Sequence, residues 1–180
     1  YVPPHEWNID FPHLMLRAKA KRFKDKGASL QDRVLASPEQ VGAIAGIPVV
    51  AEAVNAVNRS SAGRRLLEKT LGIDRRAPMP IYHGRTARKR LRARIGNADQ
   101  TGQPIAGTNG RTVLFATCYG NRNVPGVVED LTAVFEHNGV AVALAMAEAC
   151  CGMPRLELGD LESVQRSRNA NIPTLLSWVQ

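Results

Sequence analysis

Apolar positions recur every three or four residues along the first 72 residues, a spacing typical of amphipathic helices. Phe11, Leu14, Ala18 and Phe23 follow this spacing and predict a helix that Asn8 or Asp10 caps, with Pro12 in its first turn. Lysine and arginine load the last turns of this helix, which suits the negative end of the helix dipole. Gly27 follows them and is expected to end the helix.

Three more helices are predicted before residue 72. They cover residues 38–46, 48–57 and about 61–72. The sequence Ser37-Pro38-Glu39-Gln40 has the pattern of a capping box, which predicts that the Ser37 side chain starts the first of these helices. Gly72 is expected to end the last one.

Residues 73–110 have weak periodicity and many Gly, Pro and Arg residues. A loop of this length is uncommon inside a compact domain. We therefore expect a connection that lies over a partner or over another part of the protein.

Continuous apolar runs replace the helical spacing after residue 111. Residues 112–117 and 140–144 are such runs, as expected of strands that are buried on both faces. Residues 127–137 lie between them and have the spacing of an amphipathic helix. A strand–helix–strand order needs a crossover, which predicts two parallel strands, and a last helix runs from about residue 160 to Trp178.

The predicted fold class is therefore α/β. A mainly helical connector covers residues 1–72, and a basic, loop-rich linker covers residues 73–111. A partial parallel-sheet domain of βαβα order covers residues 112–180.

Charge and cysteine content change at the same place. Residues 1–111 contain 20 Lys and Arg against 9 Asp and Glu, whereas residues 112–180 contain 4 against 7. All three cysteines, Cys118, Cys150 and Cys151, lie in the second part. An odd number of cysteines argues against a disulfide framework and towards a metal or redox role.

The predicted sheet would bring the three thiols together. Cys118 follows the first strand and the Cys150-Cys151 pair follows the second, so all three face the carboxyl edge, where ligands usually bind. Thiolates select iron–sulfur clusters, zinc or cuprous copper. Three sulfurs do not complete a four-ligand zinc site, and buried cysteines are often apolar filler. Metal binding and structural thiols both remain open on this chemistry alone.

The spacing of the cysteines resembles a known family. Cys118, then 31 residues, then the run 150–154 (CCGMP) and Gly159-Asp160 resemble the cysteine-rich CCG domain. That domain occurs in proteins related to heterodisulfide reductase and in the cluster-binding component of anaerobic glycerol-3-phosphate dehydrogenase. Residues 115–121 and 137–140 fit the same family, and residues 1–111 are similar to the helical connector of the related proteins.

The resemblance implies that Cys118, Cys150 and Cys151 are ligands of an iron–sulfur cluster of the 4Fe–4S type, in some copies non-cubane, with zinc as the alternative. The family motif closes with a further Cys-x-x-Cys, and a ferredoxin module precedes the connector. Neither is present in these 180 residues. We therefore expect a fragment of a longer polypeptide, and whether the fragment alone binds a cluster stays open.

Groups near the thiols are candidates for stabilising an anionic cluster. They are the backbone amides of Gly120 and Gly152 and the side chain of Asn121; ordinary turn chemistry is the competing explanation for Asn121. Glu148 is expected to be a solvated loop residue. No catalytic residue is assigned, because no dinucleotide fingerprint, phosphate loop or nucleophile elbow is present.

The resemblance also implies partners. These are other subunits of a redox complex, a flavoprotein dehydrogenase among the candidates, and further iron–sulfur clusters in a missing N-terminal part. The expected location is cytoplasmic, with peripheral attachment to the inner face of the cytoplasmic membrane as an option.

A basic run provides the competing functional hypothesis. Six of the ten residues from Arg85 to Arg94 are Lys or Arg, which would suit phosphate contacts on nucleic acid. No interleaved aromatic residues or nucleic-acid-binding motif accompany them. A solvated or partner-facing basic segment is the favoured interpretation, and no nucleic acid is expected.

Overall fold

A computed structural model describes residues 10–95, 111–145 and 147–178 of the chain. Residues 1–9, with the alternative helix cap Asn8, and residues 96–110 of the linker lie outside the described residues. The described elements, in chain order, are α1 (Phe11–Lys26), α2 (Leu30–Leu35), α3 (Pro38–Ala45), α4 (Pro48–Arg59), α5 (Ser61–Leu71), α6 (Ala87–Ile95), β1 (Arg111–Leu114), α7 (Cys118–Arg122), α8 (Pro125–His137), β2 (Ala141–Leu144), α9 (Met153–Leu158) and α10 (Leu161–Leu176).

The predicted N-terminal helices are confirmed, and local hydrogen bonds explain their ends. Asp10 caps α1 by accepting the backbone N–H of His13 at 3.2 Å. Ser60 caps α5 in the same way through the N–H of Gly63, at 2.9 Å. Gly72 then ends α5 in the left-handed conformation, with φ of 67°.

The predicted capping box at Ser37 is wrong. The Ser37 side chain makes no capping bond to α3. Its hydroxyl donates instead to the Arg33 carbonyl at 2.6 Å and accepts a hydrogen bond from Arg155. The capping box lies one helix earlier, where Ser29 and Asp32 bond reciprocally at the start of α2.

The segment after α5 is a loop that is fixed to the rest of the protein. The buried guanidinium of Arg64 donates to the carbonyls of Asp74, Arg75 and Ala77. Asn55 bonds both the N–H and the carbonyl of Tyr82, at 2.9 and 2.8 Å. The loop therefore lies over another part of the protein, one of the two arrangements that its length predicted.

The middle of the linker corrects the sequence-based prediction. Ala87–Ile95 form helix α6, although most of these residues are basic. Two small or apolar side chains, Ala87 and Leu91, are 0% and 1% exposed and hold the helix against the core. The basic residues around these two positions leave no clear apolar period in the sequence, which is why the helix was missed.

The two strands pair in parallel, as predicted. Arg111 pairs with Ala141 and Leu114 with Leu144, and the Ala145 N–H donates to the Leu114 carbonyl at 3.0 Å just beyond the ladder. The strands are shorter than the predicted runs, and β2 is fully buried only at Leu144. The prediction that the strands are buried on both faces was wrong, because the sheet has only two strands within the described residues.

The core of this part joins the linker helix to the sheet. It contains Ala87 and Leu91 of α6, Leu114 and Ala116 of the β1 strand and its extension, Val128 of α8, and Leu144 of β2. Burying these side chains fixes α6 and α8 on the sheet. The sheet and its carboxyl edge are thus held by helices from both sides of the predicted boundary at residue 111.

In the described ranges, no single helix is both long and apolar enough to cross a membrane. Helices α3 and α4 meet those criteria only when they are taken together, and they are bent by 109° relative to each other.

Close contact at Gly159 gives a test of the packing between α1 and α9. Gly159 has a φ of 89°, and a Cβ atom there would lie 2.5 Å from the Lys19 carbonyl oxygen. Replacing Gly159 with alanine should lower the free energy of unfolding by about 2 kcal/mol or more, because backbone strain and a backbone clash add. Urea denaturation measures the change.

Gly72→Ala is the matched control, because Gly72 is also left-handed but faces only the end of the Gln31 side chain at 3.1 Å. The Gly72→Ala substitution should lower the free energy of unfolding by about 1 kcal/mol. Equal losses of unfolding free energy in the two variants would contradict the close contact between Gly159 and α1.

Candidate metal centre at the carboxyl edge of the sheet

The sheet brings two cysteines from distant parts of the chain together. Cys118 is the first residue of α7, after β1, and Cys150 lies in the loop after β2. Their sulfurs are 3.8 Å apart. Cys151 follows Cys150 in the chain and is exposed. We refer to Cys118, Cys150 and Cys151 as the thiol centre.

A strained residue leads into the first cysteine. Thr117 has a φ of 57°, the only positive value among the described residues other than glycine. Its hydroxyl oxygen accepts the N–H of Gly120 at 3.1 Å and so caps α7. Strain of this kind is concentrated at functional sites, where the surrounding structure maintains it.

The loop that carries Cys150 is held from two sides. The Cys150 N–H donates to the Glu39 carboxylate of α3 at 3.3 Å. Asn171 of α10 is buried, and it accepts the Ala149 N–H at 2.8 Å and donates to the Cys150 carbonyl at 3.2 Å. Neither Glu39 nor Asn171 was identified from the sequence, because both are more than 20 residues from the cysteine and carry no motif.

Glu148 is not the solvated residue that its position suggested. Its side chain is 2% exposed and forms an ion pair with Arg88 of α6. Burial raises the pKa of Glu148, and the Arg88 charge with the backbone N–H groups of Ala116 and Thr117 opposes this rise. The expectation failed because the partner of Glu148 is 60 residues away in the sequence.

The basic run is also less solvated than expected. Arg90 pairs with Glu129 of α8 at 3.0 Å, and Arg88 pairs with Glu148. Lys89 and Arg92 remain exposed. Two of the cations in the run are therefore engaged within the chain rather than presented to solvent.

The three residues that were predicted to stabilise a cluster differ in what they contact. Gly152 is buried, adopts a φ of 85° that favours glycine, and directs its N–H at Cys150. The Gly120 N–H is used by Thr117. Asn121 is buried, and its side-chain oxygen accepts the Arg88 N–H at 3.0 Å.

The two close sulfurs titrate differently. A hydrogen bond from Cys118 lowers the pKa of Cys150 to about 6, and the Gly152 N–H adds to this stabilisation against the opposing effect of burial. The pKa of Cys118 is raised, first by its hydrogen bond to Cys150 and then by burial. The metal-free pair therefore holds one proton on Cys118 and a thiolate on Cys150 near neutral pH.

An apolar cavity borders the thiol centre. It has a volume of about 840 Å³ and is lined mainly by helices α3, α4 and α5 and the loop over residues 77–82. Cys118 and Cys151 form part of its wall. The thiol centre is thus bordered by an apolar cavity and by charged groups, Glu39 and the Arg88–Glu148 pair.

The thiols fit a metal in part. Two sulfurs that each lie about 2.3 Å from one tetrahedrally coordinated ion are about 3.8 Å apart, which matches the Cys118–Cys150 pair. Three or more His, Cys, Asp or Glu side chains do not converge on one point in the described part of the chain. The geometry therefore provides a pair of ligand sulfurs and a third thiol nearby, rather than a closed site.

The shifted pKa of Cys150 predicts its reactivity in the metal-free protein. The thiolate is the reactive form, so it should be present above about pH 6 and lost below it. The pH profile of Cys150 alkylation by iodoacetamide, read by peptide mass spectrometry, should have its midpoint near this value. Cys118→Ala removes the donor and should raise the midpoint by about one pH unit or more.

Cys118→Ser keeps a hydroxyl donor at the same position and should retain part of the shift. An identical midpoint in the wild-type and Cys118→Ala proteins would contradict the hydrogen bond between the two sulfurs.

Comparisons with known proteins agree with the cysteine spacing. Residues 112–176 match the family model of the CCG cysteine-rich domain. The chain is 27% identical over 168 residues to the anaerobic glycerol-3-phosphate dehydrogenase subunit designated C of Escherichia coli strain K12, and to the same degree to that of Escherichia coli O157:H7. The match covers 93% of this chain but 40% of each relative, so the chain spans about 40% of the length of these proteins. No solved structure matches the chain.

The predicted resemblance is therefore confirmed: residues 112–176 match the CCG cysteine-rich domain family, and the chain is similar over most of its length to a dehydrogenase subunit.

Proposed function

We propose that this chain is part of the iron–sulfur electron-transfer component of an oxidoreductase complex. The single observation that carries the proposal is the 3.8 Å approach of Cys118 and Cys150 at the edge of the sheet, with Cys151 next in the chain. This thiol centre lies within the segment that matches the cysteine-rich family. The relatives from Escherichia coli are, by their name, subunits of a dehydrogenase and therefore of a redox enzyme.

Cys118, Cys150 and Cys151 would hold the cluster, of the 4Fe–4S type, cubane or non-cubane. Such a cluster, when bound, exchanges single electrons with a neighbouring redox group. The remaining ligands would come from parts of a longer polypeptide, because the described residues provide no closed set. The chain's own contribution is to hold the sulfurs, orient them and limit access of water.

The surroundings of the thiol centre suit this role. The Gly152 N–H faces the Cys150 sulfur and would favour negative charge on it. The apolar cavity beside Cys118 and Cys151 lowers the local polarity. Hydrogen bonds to sulfur, net charge and solvent exposure set the potential of such centres. Gly120 and Asn121, whose hydrogen bonds go to Thr117 and Arg88, would act by shaping α7.

A structural zinc site or interaction module is the second candidate. The sulfur–sulfur distance also suits two ligands of one zinc ion, so geometry alone does not separate the two metals. Nucleic-acid binding through residues 85–94 is a weaker candidate, because Arg88 and Arg90 are engaged with Glu148 and Glu129.

The proposed partners are the other subunits of a redox complex, a flavoprotein dehydrogenase among them, and additional clusters elsewhere in a longer chain. Peripheral attachment to the inner face of the cytoplasmic membrane belongs to the same proposal. The corner between α3 and α4 supports it, because Ile44, Ile47 and Val49 are 66%, 52% and 78% exposed there. Exposed apolar side chains of this kind suit the headgroup region of a bilayer.

Reconstitution distinguishes the two metals. We expect the full-length protein, treated anaerobically with iron and sulfide, to gain a broad visible absorption band and a paramagnetic signal in one redox state. Cys150→Ser should remove the part of both signals that this centre contributes, because it removes a ligand sulfur. Optical and electron paramagnetic resonance spectra before and after reduction measure this.

Met153→Leu is the control, since Met153 is exposed and near the cysteine pair without supplying a thiolate. Retention of zinc, with no iron-dependent signal that Cys150→Ser alters, would favour the structural zinc site and exclude the cluster.

A further inference from the structure

We propose that the ion pair between Arg88 and Glu148 positions the two cysteine-bearing segments relative to each other. The inference rests on the thiol centre of the proposed function and assigns it two positioning residues. Arg88 belongs to the basic run and Glu148 was expected to be solvated, so neither residue was previously connected with the cysteines.

Glu148 contacts both cysteine-bearing segments. It precedes Cys150 by two residues, in the loop that follows β2. Its carboxylate lies against the backbone N–H groups of Ala116 and Thr117, which lead into Cys118. A single buried side chain therefore joins the loop of Cys150 to the turn before Cys118. The second of these N–H groups belongs to Thr117, the residue with the strained φ of 57°.

Arg88 adds a second connection between the same segments. Its guanidinium pairs with Glu148, and its backbone N–H donates to the buried side-chain oxygen of Asn121 at 3.0 Å. Asn121 lies on α7, the helix that begins at Cys118. Helix α6 is itself fixed in the core by Ala87 and Leu91. Arg88 thus relates both segments to one rigid element.

Stability alone does not account for this pair. Removing two charges from water costs several kcal/mol, and buried pairs recover it only when geometry and further hydrogen bonds are favourable. Here Arg88 Nε and Glu148 Oε2 are buried without a hydrogen-bond partner among the described residues. An apolar pair would fill the same space without that cost. What an apolar pair could not do is place a carboxylate from the Cys150 loop against the backbone N–H groups that lead into Cys118.

The same helix offers a matched control. Arg90 and Glu129 form another ion pair of α6, at 3.0 Å, with side chains 29% and 32% exposed. Glu129 lies on α8, remote in sequence from all three cysteines. Arg90→Lys and Glu129→Gln repeat the two substitutions on an ion pair whose residues lie outside both cysteine-bearing segments.

The equilibrium for forming a Cys118–Cys150 disulfide reports how well the two sulfurs are held together. The metal-free full chain is equilibrated anaerobically with reduced and oxidised glutathione at fixed pH. One bond forms between the two sulfurs and the glutathione disulfide is reduced to two thiols, which near neutral pH take up the Cys118 proton and one proton from the buffer. Acid quenching, alkylation and peptide mass spectrometry give the equilibrium constant, and urea denaturation gives stability.

Glu148→Gln and Arg88→Lys should each lower the constant about fivefold, because each loosens the connection between the segments. The double variant should lower the constant no further than the more strongly affected single variant, because the two residues act through each other. Arg90→Lys and Glu129→Gln should leave the constant within about twofold. Circular dichroism checks that each variant folds. If Glu148→Gln does not fold, the comparison is made with Arg88→Lys, which keeps the charge.

A constant that is unchanged in the folded Arg88 and Glu148 variants, or equally lowered in the Arg90 and Glu129 variants, would overturn the proposal. This readout needs no bound cluster. A protein that fails to bind iron and sulfide but shows these shifts would therefore overturn the proposed function and leave the positioning role intact.

Discussion

Parallel pairing of two four-residue strands determines where everything else in the C-terminal part lies. Because β1 and β2 run in the same direction and end at Leu114 and Leu144, the chain leaves both strands at one edge. Cys118 and Cys150, 32 positions apart in the sequence, consequently meet there. Eight residues form a small sheet, and its stability depends on the side chains of α6 and α8 that pack on it.

Charged and apolar groups both border this edge. Glu39 of α3 accepts the Cys150 N–H, and Glu148 pairs with Arg88 of α6. Cys118 and Cys151 form part of the wall of the apolar cavity, which α3 also lines. Hydrogen bonds from Cys118 and from the Gly152 N–H stabilise the Cys150 thiolate. A metal held by these thiols would have its electrostatic environment set by these hydrogen bonds and charges.

Features that depend on local sequence were the ones that sequence analysis predicted well. Helical spacing and end signals at Asp10, Ser60 and Gly72 located α1, α4 and α5 to within a few residues. The meeting of Cys118 with Cys150 followed from strand order alone, because parallel strands share a carboxyl edge. The resemblance to the CCG domain was confirmed, whereas the metal that it implies for the three thiols stays a prediction.

Features that depend on tertiary contacts were not predicted from the sequence. Glu148 looks like any acidic loop residue until Arg88, 60 positions away, is known to face it. Helix α6 was missed because its many basic residues obscure the spacing of Ala87 and Leu91, which are buried in the core. The predicted cap at Ser37 is absent because the Ser37 hydroxyl bonds the Arg33 carbonyl and the Arg155 side chain instead. In each case the decisive partner is a residue that the local pattern does not include.

The central claim is that Cys118, Cys150 and Cys151 belong to one metal centre, and differential alkylation tests it most directly. The native full-length protein is isolated anaerobically, its iron, sulfide and zinc are measured, and each cysteine is alkylated before and after the metal is removed. We predict that all three cysteines are protected together while iron and sulfide are bound, and become reactive together when they are lost. Full reactivity of any one of the three while the metal is bound would contradict the claim.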